Sequence, residues 1–140
     1  MALSDALSRR QVLILSGVAL AAAALPGSLA LIERGGAAVA DDLLSMLADP
    51  EGAARIGQQW IEAAGHEPDG RAFAQRIAKR LRAHGWHPGD APEAMHAALA
   101  ARVRHDFQHG DMVEIAGWQI SRTGAELCAL AATHRAAQPA

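Results

Sequence analysis

Apolar residues recur every three or four positions from Leu43 to Phe107, and every second position between Asp111 and Ile120. The first period predicts helices that each bury one stripe, and the second predicts strands. Asp41-Asp42 opens a short helix carrying Leu43, Leu44, Met46 and Leu47. Asp49 then caps a second helix, with Pro50 at its first position and Glu51 in its first turn, where a carboxylate complements the positive end of the dipole. Its inner stripe reads Ile56, Trp60, Ala64, with Ala53, Gly57 and Ile61 beside it, and Gly65 closes it. A third helix is expected over about 69–84, burying Phe73, Ile77 and Leu81, with a natural stop at Gly85. The loop Trp86-His87-Pro88-Gly89 follows. Asp90 is expected to cap a fourth helix whose stripe is Met95, Leu99, Val103 and Phe107.

After His109-Gly110, alternation over Asp111 to Ile115, the pair Ala116-Gly117, and alternation again through Ile120 predict a tight β-hairpin over 111–121. A two-stranded ribbon is marginal alone, so Trp118 and Ile120 are expected to lie on the helices. Thr123-x-x-Glu126 reads as a capping box for the last helix, which turns Leu127, Leu130 and Ala131 inward. The fold class is mainly α: a small bundle of about four to five helices with one short hairpin before the last. Its boundaries are 41–135, with a flexible lead-in over 31–40 and a disordered tail over 136–140.

The N-terminus has another character. Arg9-Arg10 precedes an uncharged run from Val12 to Leu25, which Pro26-Gly27 closes. The run is too short and too rich in alanine for a membrane span, so 1–30 reads as a signal peptide. Ser28 and Ala30 supply the small residues a signal peptidase needs, which places cleavage after Ala30. The alternative is that 12–32 stay attached as a membrane anchor. Ser8, Arg9, Arg10 and Leu13 resemble the twin-arginine translocation signal, with Val12 and Ile14 departing from its usual pattern. The resemblance implies export to the periplasm and a passing encounter with the twin-arginine translocase.

Removing 30 of the 140 residues leaves 110, enough for one core. Without Asp5, Arg9 and Arg10 the formal charge moves from −2 to −3, which is no footprint for nucleic acid or for an anionic membrane. The single Cys128 forms no internal disulfide and builds no zinc, iron–sulfur or c-type haem site; it reads as a small buried helix residue. Among Arg76, Lys79, Arg80 and Arg82 the default is a solvated face, and an acidic docking patch is the sharper reading. His105 and His109, four apart, have a spacing at which two imidazoles can share a metal, although polar residues at a helix end explain them as well. Ser121 and Thr123 have no base tied to them by spacing, and no phosphate loop or nucleophile elbow is present in the sequence. The expectation is a protein that is not itself an enzyme and holds no cofactor of its own.

Twin-arginine export commonly serves proteins that fold around a cofactor first, so a cofactor-free chain bearing that signal suits an escort. Arg55-Ile56-Gly57-Gln58-Gln59-Trp60-Ile61 resembles a segment of the small helical subunits of periplasmic flavoprotein sugar and alcohol dehydrogenases. That resemblance implies a non-catalytic small subunit that binds, stabilises and exports a larger flavin-dependent enzyme. The alternatives are a free-standing periplasmic binding protein and a membrane-tethered subunit of an electron-transport complex. An obligate partner requires an apolar surface, and its candidates are Gly57, Trp60, Trp86 and Trp118. Trp60 and Trp118 each read equally well as core, whereas Trp86, in a loop between Gly85 and Pro88, is the first choice for the interface.

Overall fold

The computed structural model of the chain describes residues 27–139, with side chains over 36–139. In those residues five helices and one hairpin follow in the order α1 (Gly27–Ser45), α2 (Pro50–Ala64), α3 (Gly70–Arg82), α4 (Pro92–Gln108), β1 (Met112–Ile115), β2 (Trp118–Ser121) and α5 (Arg122–Ala137). The chain is mainly α, with the hairpin directly before the last helix. Ser8, Arg9, Arg10 and Leu13 lie outside the described residues. Ser28 and Ala30 fall in the first turn of α1.

The segment 31–40 is not a flexible lead-in: it is helical, part of the unbroken α1. Two adjacent glycines cost a helix about 1 kcal/mol each, and the good helix formers on either side outweigh that. From Gly36 onward the chain forms one compact unit, into which α1 sends Leu43, completely buried.

Caps explain most of the boundaries. Asp49 accepts a hydrogen bond from the Gly52 amide at 2.9 Å, and Asp69 one from the Ala72 amide at 3.1 Å, so both helix starts satisfy an orphan donor. Asp90 does not cap α4. Its carboxylate accepts from the His87 amide at 2.7 Å and closes the preceding loop, while α4 starts from Ala91 without a side-chain cap. The last helix also starts otherwise than expected: Ser121 is the cap, accepting from the Gly124 amide at 2.9 Å, and Thr123 and Glu126 are buried for other uses. At the far end α5 runs through Ala137, two residues into the expected tail.

Three helices end in the same way. Beyond α2, α3 and α4 a glycine with positive φ (Gly65, Gly85, Gly110) sends the following amide back to a carbonyl five residues earlier. The bonds are His66 to Ile61 at 3.0 Å, Trp86 to Leu81 at 3.2 Å, and Asp111 to Asp106 at 2.8 Å. Each residue after the glycine is thereby folded over its own helix.

The centre of the bundle is α5. It packs along α2, where Gly57 permits contact that no other residue allows: a Cβ there would collide with the carbonyl of Cys128. α3 and α4 pack on its other sides, and the core joins Leu43, Trp60, Phe73, Ile77, Leu81 and Leu130. On α4 the buried face is Met95, Ala98 and Asp106 rather than the stripe of four expected. Leu99 and Val103 are half-buried, and Phe107 is 49% exposed. Ile56 on α2 is likewise turned outward.

The hairpin pairs Met112 with Ser121, Val113 with Ile120, Glu114 with Gln119, and Ile115 with Trp118. Its two-residue turn places both Ala116 (φ 51°) and Gly117 (φ 83°) in the left-handed region, which matches the twist of the strands.

Candidate functional site

The four residues proposed for a partner surface separate into two groups. Gly57 is covered by the backbone of α5, and Trp60 packs into the core against Phe73, with ring centroids 6.2 Å apart, and against His66 at 4.5 Å. Trp86 is also inside, 3% exposed, because the reversal at Gly85 folds it down onto Leu81 instead of leaving it at a loop tip. These three are structural. Trp118 is the reverse case: expected to lie on the helices, it projects from the hairpin and is 75% exposed. Ile115, its partner across the ribbon, takes the buried place. Trp118, Ile56, Gln59 and Ile120 border an open groove between α2 and the hairpin.

The hairpin that carries Trp118 is anchored by ionic groups that sequence reasoning missed. Asp106, fully buried on α4, accepts from Arg102 Nε at 2.9 Å through one oxygen. Its other oxygen accepts from the Thr123 backbone amide at 2.9 Å, so it satisfies the start of α5 from a different helix. Burial pushes the Asp106 carboxyl up, but the hydrogen bonds from Thr123 and Arg102 outweigh it and hold the group below the ordinary aspartate range. Arg102 also reaches Asp111 at 3.7 Å, and Asp111 pairs with Arg122 at 2.6 Å across the two ends of the hairpin. The Arg122 amide bonds the Asp111 carbonyl at 3.0 Å, which closes the base of the ribbon.

A second cluster ties α3 to α5. Glu126 accepts from Arg80 at 2.8 Å and from Arg76 at 3.2 Å, and Arg80 also donates to Thr123 Oγ1 at 3.4 Å. Burial raises the Glu126 carboxyl above its usual range against the pull of both arginines. Half of the basic run on α3 is thus paired with Glu126, which weakens its reading as a patch for an acidic partner.

His105 and His109 do not converge on a point where an ion could sit. Their rings stack, 3.9 Å apart and 19° from parallel, so their in-plane nitrogen lone pairs run side by side. Among the described residues no group of three His, Cys, Asp or Glu side chains is arranged to hold a metal. Ser121 Oγ is occupied as a helix cap, and Thr123 Oγ1 by Arg80. Burial pushes the Cys128 thiol up to about 11, so it is protonated and inert at neutral pH.

No protein-family model, no curated protein and no solved structure matches the chain.

Proposed function

We propose that this chain is a non-catalytic small subunit that binds, stabilises and escorts a larger redox enzyme, of flavin-dependent dehydrogenase type, through the twin-arginine route to the periplasm. The observation that supports the reading best is Trp118: a tryptophan 75% exposed on a short ribbon whose base is clamped by Asp111 and Arg122. A large side chain held out in one place loses little freedom on binding, and tryptophan is the residue most enriched at binding hot spots. Ile56 and the groove beside it widen the apolar face. The twin-arginine resemblance of Ser8-Arg9-Arg10 supplies the export half of the reading.

The test is capture from the periplasm by the tagged chain, read by mass spectrometry and by bound-flavin absorbance. Wild type is expected to bring down a flavoprotein whose own sequence begins without a signal. Trp118→Ser should lower the yield at least tenfold with an unchanged melt, and replacing Arg9 and Arg10 by Lys should leave both proteins in the cytoplasm. Equal capture by Trp118→Ser would remove the hairpin from the interface. Unchanged export of the double-Lys chain would remove the escort.

A further inference from the structure

Three histidine rings form a row where α3 and α4 end. His84, just past α3, meets His105 edge-on with centroids 5.5 Å apart, and His105 stacks on His109 at 3.9 Å. The row is fixed in place: His109 Nδ1 lies 2.9 Å from the His105 carbonyl and donates to it. His105 Nδ1 is buried and has no hydrogen-bond partner. A neutral ring with its proton on Nε2 leaves Nδ1 as one unpaired acceptor. A second proton would make Nδ1–H a buried donor without an acceptor and put a cation against the face of a second imidazole.

The charged groups around His105 point the same way. Arg102, one turn earlier on α4, contributes positive charge, as do His109, just past the end of the same helix, and His84, just past α3, when they are protonated; Asp106 alone opposes them. Asp106 is already committed to Arg102 and the Thr123 amide, and beyond it Asp111 is committed to Arg122. The negative end of α4, in whose last turn His105 sits, favours its cation and opposes these neighbours. Burial, followed by these neighbours, lowers the His105 pKa below its ordinary 6.5.

We propose that the His84–His105–His109 row is an acid-sensitive joint: protonation of His105 expels its ring from between α3 and α4, frays the last turn of α4, and loosens the clamp that holds the hairpin. The connection is short. His105 precedes Asp106, whose carboxylate accepts from the Thr123 amide, and the turn that frays is tied through the Asp106 carbonyl to the amide of Asp111, whose carboxylate holds Arg122. The sign follows from linkage. A group with a lowered folded pKa contributes stability that is complete above 6.5 and is lost as pH falls through the unfolded and then the folded value. The two shifted carboxyls do not produce the same effect in that window. Asp106 is held low and begins to lose its contribution only below 3.8, and Glu126, held high, favours the folded state more as pH falls.

The experiment uses the full chain and needs no partner. Histidine ring signals are followed by NMR from pH 8 to 5, and amide exchange is measured at Arg122 and Thr123 and corrected for the intrinsic dependence on pH. His105 is expected to titrate below 6.5, and opening at both amides should rise at least tenfold between pH 7 and 5. His105→Gln should abolish that rise. His109→Gln, which removes the stacked neighbour, should move the His105 midpoint upward and at least halve the effect. The proposal is overturned if His105 titrates at or above 6.5, or if exchange at Arg122 and Thr123 keeps its full acid dependence in His105→Gln. Should that variant not fold, the wild-type midpoint and His109→Gln decide.

Discussion

Replacing Asp106 by Asn keeps the shape of the side chain and removes its charge, which isolates the clamp between α4 and α5. In the native protein one carboxylate takes an N–H from Arg102 and another from Thr123, both at 2.9 Å, at a site with no exposure. Asparagine has one acceptor oxygen and must turn its own N–H₂ toward one of those donors. One bond to an ionised group is lost outright, worth about 1.5–3 kcal/mol, and the other falls to the strength of a neutral pair. Arg102, 16% exposed, also loses its counter-charge inside the protein, which brings the expected cost to about 3–5 kcal/mol. For a domain whose total stability is about 5–15 kcal/mol, that is a large fraction. Urea denaturation at pH 7 measures it. Repeating the melts toward pH 3 supplies a second check. The Asp106 carboxyl is held below 3.8 in the folded state, so the wild type keeps this contribution above that pH and gives it up as pH falls through the folded pKa. The difference between wild type and Asp106→Asn should therefore shrink on acidification. A loss under about 1 kcal/mol at pH 7, or a difference that grows with acid, would refute the clamp.

Gly57→Ala should destabilise the protein by at least about 2 kcal/mol despite the better helix propensity of alanine, because the added Cβ meets the Cys128 carbonyl and separates α2 from α5; a gain in melting temperature would contradict the packing. Trp86→Ala should cost about 3–5 kcal/mol in a urea melt, as for a large core side chain, and a near-neutral result would return Trp86 to the surface. Cys128 in the folded chain should react with a disulfide reagent at pH 8 at least tenfold more slowly than in urea, since its thiol is pushed up to about 11.

The elements were legible because their signals are local. Asp49 with Pro50, Asp69, the change of period at Gly110 and the Ala116-Gly117 turn each act within a few residues, and all lie where the sequence puts them. Which face turns inward was legible where the stripe itself is short, as over Phe73, Ile77 and Leu81. A stripe spaced strictly by four advances about 40° per step around a helix of 3.6 residues per turn, so from Met95 to Phe107 it drifts about 120° and leaves the core. Steps of three, four and four, as in Met95, Ala98, Arg102 and Asp106, hold one direction, ending within about 20° of where they start. The signal for the clamp was present as Arg102-x-x-x-Asp106, the spacing at which helical side chains meet. Nothing near Asp106 in sequence announces that its second partner is an amide 17 residues away. Trp86 shows a related limit: Gly85 marks a helix stop in the sequence, but that the stop folds the next residue back over the helix depends on the left-handed turn and the Trp86 amide's bond to Leu81.

The shared endings at Gly65, Gly85 and Gly110 divide each connection into a fixed half and a free half. The residue after the glycine belongs to the helix behind it: His66 lies against Trp60, Trp86 is in the core, and Asp111 grips Arg122. Only the remainder lies beyond the helix, and of it residues 67–68 are exposed while 87–90 is a turn closed by the Asp90 carboxylate on the His87 amide. Tolerance to inserted sequence should follow this division, with extra residues accommodated around Pro68 and rejected one position after the glycines. A fluorophore, an epitope or a split-protein half grafted onto the chain therefore has a defined place to go, on the connection between α2 and α3 and not on the arm that carries Trp118.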